Sequence, residues 1–317
     1  MRADRSHSST INQPLVSVVL LSYNRPQLLG RALETVLSQS WPNVELIVVD
    51  NRSAASDEIA RLVERYPRAR LLANPVNLGF TSGMNEGIAE ARGQFVYLTE
   101  DDIEMEPDCL QVLVEYLAGH PDVGLAGPIM LNHHNGTVRC AGGHFELGTV
   151  YRMTIHGADA PFAASNFPEP YSVTFLPGAT MMTRLDLLRD LHGFRDEFFM
   201  YVEDIDLCAR VLRRGLTIAV VPRARVSHHL PEPGVAPTLE FHKVKNLSAL
   251  YLMHAPLRVL PLFVFRYGML GAIRALASGR VGSHLRAWAW TFWNTPRLLT
   301  ERRQFHASAT PPAAPVS

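Results

Sequence analysis

Short apolar runs alternate with amphipathic stretches along the first hundred residues. Residues 16–21, 44–49 and 94–98 are mainly β-branched, aliphatic or aromatic, which is typical of strands that are buried on both faces of a parallel sheet. After Pro26, apolar side chains recur at helical spacing through residue 37. Strands and helices that alternate with short links predict right-handed crossover connections. The predicted fold class is therefore α/β, with a mainly parallel sheet flanked by helices.

The pattern changes twice in the second half of the chain. Residues 132–177 are rich in Gly, His and Pro and have little periodicity, which predicts hairpins and loops. Helical spacing returns at 203–214 and ends at Gly215, and beyond Thr238 it continues with no further strand pattern. We therefore predict a disordered tail at 1–14, an α/β domain at 15–237, a helical C-terminal segment at 238–306 and a disordered tail at 307–317.

Composition narrows the function. Lysine plus arginine number 30 and aspartate plus glutamate number 30, so no net charge attracts nucleic acid, and we expect no nucleic-acid partner. Three cysteines are too few for a disulfide framework, and residues 1–12 lack the apolar core of a signal peptide. Both features favour the cytoplasm. Residues 257–277 are apolar but contain three arginines, so we expect no membrane span.

Polar side chains follow three of the predicted strands. They are the groups at 22–25, at Asp50 and at 100–102. Each group alone is as consistent with a solvated turn that caps a helix as with a binding site. Ligands of doubly wound sheets bind beyond the carboxyl ends of the strands, so three such groups together favour one shared site.

The chemistry of these groups favours a nucleotide diphosphate. Neither a G-x-G-x-x-G nor a G-x-x-x-x-G-K-[ST] loop follows the first strand, so phosphate charge must be neutralised in another way. The carboxylates of Glu100, Asp101 and Asp102 suit a hard divalent cation, Mg²⁺ or Mn²⁺, which keeps open positions for phosphate oxygens. Asp50 can accept the imide N–H of uracil or thymine, and Tyr23 can stack on that base.

Six motifs, in order, resemble the inverting glycosyltransferases of family 2, which have the GT-A fold. The similarity extends over residues 15–230 and is greatest to bacterial rhamnosyltransferase-like enzymes of cell-wall and surface-polysaccharide assembly. The motifs are VVLLSYNR at 18–25, LIVVDNRS at 46–53, NPVNLGF at 74–80 with Asn85 and Gly87, EDD at 100–102, GFRDEFFMYVEDIDL at 193–207 and VSHH at 226–229.

The resemblance implies a role for each matching residue. Asp204 corresponds to the general base, and Asp102 and His228 to the metal ligands. Asp206 lies two residues beyond Asp204 on the predicted helix and therefore points elsewhere, so we expect it to cap or to pair structurally. His133 and His134 are interpreted as loop residues. The residues implied to bind the donor are Leu21, Tyr23, Arg25, Asp50, Gly79, Asn85, Glu100, Asp101 and Gly178.

The C-terminal segment allows two interpretations. Apolar residues of 257–276 alternate with arginines, and Trp288, Trp290 and Trp293 follow. The segment is either a helical appendage packed on the α/β domain or a pair of interfacial helices on an anionic membrane leaflet. The second interpretation would suit a lipid-linked acceptor and a peripheral location at the cytoplasmic face of the membrane.

The resemblance predicts the transfer of a sugar from a UDP- or dTDP-linked donor to an acceptor hydroxyl of a glycan or lipid-linked molecule. The metal would neutralise charge on the leaving diphosphate, while Asp204 accepts the hydroxyl proton in one inverting displacement. One alternative is a sugar nucleotidyltransferase, which would need a Gly-rich basic loop at 22–26. The other is a non-catalytic sugar-nucleotide-binding protein, against which Asp102 and Asp204 argue.

Overall fold

A computed structural model describes residues 13–148, 150–229 and 238–307. The predicted terminal tails at 1–14 and 307–317 therefore lie almost entirely outside the described residues. The predicted domain boundary at 237 also falls at the end of a segment that is not described.

Most of the strands form one sheet whose order is β10-β12-β6-β11-β4-β1-β2-β3, and β8 pairs with β9 in a separate hairpin. In chain order, the strands are β1 (Val16–Ser22), β2 (Val44–Asp50), β3 (Ala69–Ala73), β4 (Phe95–Glu100), β5 (Ile103–Met105), β6 (Val123–Asn132), β7 (Val138–Cys140), β8 (Gly143–Leu147), β9 (Tyr151–Ile155), β10 (Tyr171–Val173), β11 (Thr180–Arg184) and β12 (Thr217–His228).

One half of the sheet confirms the predicted parallel pairing of strands. β1 pairs in parallel with both β2 and β4, and its register places Ser22 opposite Asp50 and Leu21 opposite Glu100. Every residue of β1 is buried, because alternate side chains enter the cores on the two faces of the sheet. The polar groups that follow β1, β2 and β4 therefore emerge at one edge, as the strand-end pattern predicts.

The other half of the sheet contains strand pairings that the sequence pattern does not reveal. β11 is antiparallel to β4 and β6, while β12 runs parallel to β6 and continues to His228. The short strand β5 pairs with the end of β12, so that Ile103 lies opposite His228. This pairing brings the chain after Glu100 next to the histidines at 228 and 229. The β8–β9 hairpin confirms the hairpins predicted within 132–177.

Helices cover both faces of the sheet. The core on one face includes apolar side chains of α1, α2 and α4, and the core on the other face includes those of α3, α5 and α6. The helices are α1 (Pro26–Leu37), α2 (Ser56–Glu64), α3 (Gly79–Glu90), α4 (Cys109–Gly119), α5 (Leu185–Asp190), α6 (Glu203–Arg213), α7 (Thr238–His254), α8 (Leu260–Phe263), α9 (Leu270–Ala277) and α10 (Val281–Ala307).

The C-terminal helices pack on the α/β domain, as the first of the two interpretations predicts. Ala249 and Met253 of α7 and Leu298 of α10 share a buried cluster with Phe198, which precedes α6. Length and composition alone would allow residues Leu257–Ala277 to cross a membrane, with a mean hydropathy of 1.5 and 17% of the window buried. A π-helical turn at Val264–Met269 separates α8 from α9 within this stretch.

Candidate active site

Asp101 ties the loop after β1 to the end of β4. Its carboxylate accepts hydrogen bonds from the Ser22 hydroxyl at 2.9 Å and the Tyr23 amide at 3.0 Å, and it pairs with the Arg25 guanidinium at 3.1 Å. Burial raises the pKa of Asp101 to about 6, although Arg25 and the two hydrogen bonds oppose that change. Asp101 is thus an anchor of the site, and its oxygens already have protein partners.

Asp102 and His228 form the pair that is best suited to a cation. The Asp102 Oδ2 atom lies 2.5 Å from Arg25 Nη1 and 3.4 Å from His228 Nε2. The Oδ1 atom of Asp102 and the Nδ1 atom of His228 are buried without a hydrogen-bond partner. Burial alone would raise the pKa of Asp102, but His228 and Arg25 hold it below its usual value. An ionised carboxylate with an unpaired oxygen beside an imidazole fits Mg²⁺ or Mn²⁺.

Glu100 completes the acidic cluster. Burial raises its pKa to about 8, and the charges of Asp102 and Asp101 add to this effect. Glu100 is therefore largely protonated at neutral pH unless another positive charge approaches it. A bound divalent cation would supply that charge and favour the ionised carboxylate.

A cavity of about 540 Å³ lies between this cluster and α6. Glu100 and His228 line one part of it, and Asp204 and Gly178 line another. Its volume is in the range of small-molecule sites. The structure therefore brings the predicted base and the predicted metal-site histidine to one cavity.

Asp204 is the second residue of α6. Its Oδ1 atom accepts a hydrogen bond from the Ile205 amide at 2.8 Å. Burial raises the pKa of Asp204 to about 6, and the amides of Ile205 and Gly178 limit the rise. A Cβ atom on Gly178 would lie 3.1 Å from the Phe80 ring and 3.6 Å from Asp204 Cβ. Gly178 therefore keeps the space beside the Asp204 carboxylate open. The pKa of about 6 suits this carboxylate to act as a general base at neutral pH.

The loop that precedes Asp204 is strained. Phe199, Tyr201 and Val202 have φ values of 61°, 70° and 72°. A β-branched residue such as Val202 rarely adopts this left-handed conformation, which persists only where surrounding contacts enforce it.

Asn246 on α7 supplies such contacts. Its buried side-chain amide donates hydrogen bonds to the carbonyl oxygens of Phe198, Met200 and Tyr201 at 2.8, 2.9 and 2.7 Å. The sequence does not predict this role of Asn246, because no local pattern links position 246 to a loop 45 residues earlier. The C-terminal segment thus holds the loop that carries the base.

Three residues that the resemblance assigns to donor binding do not line this cavity, and each has other contacts in the structure. The Leu21 side chain is buried in the core. Gly79 has a φ of 76°, and a Cβ atom there would lie 2.5 Å from the Phe199 carbonyl oxygen. The Asn85 amide bonds to the Phe194 backbone and to Asp196. The matching NPVNLGF motif therefore braces the loop before α6.

Asp50 and Tyr23 lie away from the catalytic cavity. The Asp50 carboxylate accepts hydrogen bonds from the Ser53 amide at 3.0 Å and the Ser56 hydroxyl at 2.6 Å, so that it caps the turn into α2. Tyr23 lines a separate cavity of about 370 Å³ with Ser53 and Ser56. A base bound there would contact Tyr23 directly, whereas Asp50 would have to exchange its bond to Ser56 for one to the base.

A cluster of ion pairs around Asp206 tests one of the sequence predictions. Asp206 pairs with Arg195, Arg210 and His254 in the interior, which confirms the structural role expected for it. The burial of Asp206 would raise its pKa, but the two guanidinium groups and His254 hold it far below its usual value.

Glu104, His133 and His229 form a metal-compatible set that the sequence analysis missed. One ligand atom from each lies within 4.8 Å of the others, and His229 Nε2 lies 2.7 Å from Glu104 Oε1. His133 lies in a turn, which confirms the predicted loop position, and it also contributes to this set. Pairing of β5 with β12 brings these residues together, and their spacing in the sequence does not predict the set.

Comparison with known proteins identifies the family. A model described as "Glycosyl transferase family 2" matches residues 17–191, more than half of the chain. An N-acetylglucosaminyl-diphospho-decaprenol L-rhamnosyltransferase of Mycobacterium tuberculosis is 26% identical over 237 residues, which cover 68% of this chain and 76% of that protein. A glycosyltransferase of Haemophilus influenzae is 25% identical over 227 residues, which cover 69% of this chain and 66% of the relative.

Solved structures confirm the predicted GT-A fold. GalNAc-T7, crystallised with UDP, GalNAc and Mn²⁺, superposes with a TM-score of 0.61 at 15% identity, over 77% of this chain and 48% of that one. The mannosyltransferase PcManGT of Pyrobaculum calidifontis, in complex with GDP-Man and Mn²⁺, has a TM-score of 0.56 at 19% identity, over 96% of this chain and 77% of its own. The prediction of a rhamnosyltransferase-like member is likewise confirmed. The chain therefore belongs to glycosyl transferase family 2 and is a glycosyltransferase.

Proposed function

We propose that this glycosyltransferase moves a sugar from a UDP- or dTDP-linked donor to a hydroxyl of a lipid-linked glycan, with inversion at the anomeric carbon. The observation that carries the proposal is the shared cavity. Asp204 lines it together with Glu100 and His228, and His228 contacts Asp102. Acids that are far apart in the chain thus converge on one void that is large enough for a sugar.

The proposed reaction is a single displacement. The acceptor hydroxyl attacks the anomeric carbon from the face opposite the diphosphate, a new C–O bond forms, and the bond to the diphosphate oxygen breaks with its electron pair. Asp204 takes the hydroxyl proton, and its pKa of about 6 leaves it mostly ionised at neutral pH.

Asp102 and His228 would hold Mg²⁺ or Mn²⁺, with Glu100 beside them. When bound, the cation would neutralise charge on the diphosphate. Arg25 already contacts Asp101 and Asp102, so its guanidinium lies where it can also meet a donor phosphate.

A lipid-linked acceptor and a role in cell-wall or surface-polysaccharide assembly follow from two observations. The mycobacterial relative is named for a diphospho-decaprenol acceptor. In this chain, residues 255–300 contain six arginines and no acid. Large apolar side chains are exposed in the same segment, among them Phe292 at 75% and Trp293 at 79%. Such a face suits peripheral contact with the anionic cytoplasmic leaflet.

The test is a screen of nucleotide sugars for thermal stabilisation of the full chain, with and without Mn²⁺. A UDP- or dTDP-linked sugar should raise the melting temperature only when Mn²⁺ is present, because cation and diphosphate bind together. GDP-mannose and ATP serve as controls for general phosphate binding. If no UDP- or dTDP-linked sugar stabilises the protein with Mn²⁺, the proposed donor class is wrong.

A further inference from the structure

A second cavity lies within the C-terminal helices, away from the acidic cluster. Its volume is about 410 Å³, and α7, α9 and α10 supply its walls. The glycosyltransferase reaction proposed above makes no use of it.

The chemistry of this helical cavity is that of an amphiphile site. Phe263 is 2% exposed and lines the cavity together with Leu247 and Ala275. Three cationic side chains, Lys243, Arg274 and Arg280, also line it, and they outnumber its one acid, Glu240. Glu240 lies 3.5 Å from Arg280, which leaves a net charge of two positive units for a ligand. Apolar walls beside this excess of positive charge suit an anionic head that is joined to an apolar chain.

Lys243 connects this cavity to the catalytic one. Its Nζ atom lies 4.7 Å from the centre of the Tyr201 ring, and Tyr201 lines the cavity that contains Asp204. Lys243 itself lines the helical cavity. The two cavities therefore adjoin at this cation–π contact. An anionic group bound at Lys243 would lie one side chain away from the catalytic cavity.

Exposed apolar side chains of α9 flank two of the residues that line the helical cavity. Arg274 and Ala275 line the cavity, while their neighbours Ile273 and Leu276 are 64% and 70% exposed. An apolar chain could thus leave the cavity along a surface that is itself suited to lipid.

We propose that the helical cavity binds the diphosphate of a lipid-linked acceptor. Lys243, Arg274 and Arg280 contact the phosphate oxygens, the lipid chain follows the exposed face of α9, and the sugar extends past Tyr201 towards Asp204. This inference rests on the proposed function, from which it takes the class of acceptor, a lipid-linked glycan. It adds the place where the acceptor phosphate is recognised, on the helical segment rather than on the sheet.

The test uses farnesyl diphosphate as a soluble probe, measured by calorimetry with the full chain in EDTA, so that no divalent cation at the acidic cluster binds the probe. The variant Arg274→Gln/Arg280→Gln should weaken binding about tenfold or more, because it removes two charged hydrogen-bond donors. The matched control Arg258→Gln/Arg266→Gln removes the same charge from the same exposed segment but outside the cavity, and should bind as the wild type does. Inorganic diphosphate and farnesol should each bind more weakly than the probe, since each offers half of its contacts.

Equal weakening in both double variants would overturn the proposal, because binding would then follow overall charge. Inorganic diphosphate binding as tightly as the probe would overturn the lipid-borne source. The same preparations are assayed for stabilisation by nucleotide sugar and Mn²⁺. If that stabilisation is absent while the probe still discriminates between the double variants, the proposed donor function fails and the phosphate site stands. If the stabilisation is intact and the probe does not discriminate, only the phosphate site is wrong.

Discussion

The sheet edge and the C-terminal helical segment depart from ordinary burial in opposite directions. At the sheet edge, Asp50, Asp101 and Asp102 are each at most 4% exposed to solvent, although carboxylates favour water. In the helical segment, Phe292 and Trp293 are more than 70% exposed, although aromatic rings favour the interior. Burial of an acid is costly unless the carboxylate has a partner, and an exposed apolar patch is typical of a surface that contacts a protein or a membrane. The first region is therefore suited to an ion and a small molecule, and the second to an extended apolar partner.

The largest effect is expected at Asp204. Asp204→Asn removes the proton acceptor but keeps the shape of the side chain, so the transfer rate should fall on the order of 10²–10⁴-fold. Stabilisation by the donor with Mn²⁺ should persist, because Asp204 does not belong to the acidic cluster. Parallel measurements of sugar transfer and of melting temperature check this. Turnover near the wild-type rate would remove Asp204 from the role of base.

Two adjacent histidines decide which donor set holds the cation. His228→Ala should weaken Mn²⁺ binding on the order of 10–100-fold, because His228 faces Asp102. His229→Ala is the matched control, since His229 contacts Glu104 instead. Electron paramagnetic resonance of free Mn²⁺ in titrations of both variants measures the difference. A larger loss in His229→Ala would move the cation to the set formed by Glu104, His133 and His229.

The pH dependence sharpens the assignment of the base. Because the pKa of Asp204 is raised to about 6, the ionised, active fraction falls as the pH drops through that value. The rate should be level above about pH 7, halve near pH 6, and be about tenfold lower at pH 5. Transfer rates at saturating donor, in buffers of constant ionic strength, give the profile. A level rate down to pH 4.5 would mean that a group with an ordinary carboxylate pKa acts instead.

How well the sequence predicts the fold and the site depends on how far apart in the chain the contacting residues lie. The strand-end acids emerge at one edge, as predicted, because parallel pairing of β1 with β2 and β4 fixes that edge. Asp50 nevertheless lies apart from the cavity that Glu100 and Asp204 line. The roles of Asn246, of the second histidine set and of Gly79 are not predicted, since each depends on a contact between residues 29 to 125 positions apart. The motif match predicts that Leu21 and Asn85 bind the donor, and the structure adds that the Leu21 side chain lies in the core and that Asn85 bonds to the Phe194 carbonyl oxygen. Motifs locate the site, and tertiary packing assigns the individual roles.

The helical segment is tested by its most exposed ring. Trp293→Ser should reduce binding to vesicles that contain anionic lipid about fivefold, because about 1 kcal/mol of apolar burial is lost. Ser283 lies on the same helix and offers a control, Ser283→Ala, that alters no large apolar side chain. Flotation with anionic and with neutral vesicles separates the contributions of the rings and of the arginines. If neither vesicle type floats the wild-type chain, this face docks on something other than a membrane.

Asn246 is where the two regions meet, since it lies on a C-terminal helix and holds the loop before the base. Asn246→Ala should lower kcat about fivefold, the equivalent of about 1 kcal/mol of lost positioning, and leave the donor KM unchanged. Asn294→Ala is the matched control, because the Asn294 side chain forms hydrogen bonds with Trp290 and Arg297 of its own helix, α10. Steady-state kinetics of both variants, compared with their melting temperatures, separate a loss of positioning of Asp204 from a loss of stability. If kcat and KM change together, or change equally in the control, α7 supports the whole domain rather than the base, and the helical segment contributes to the surface alone.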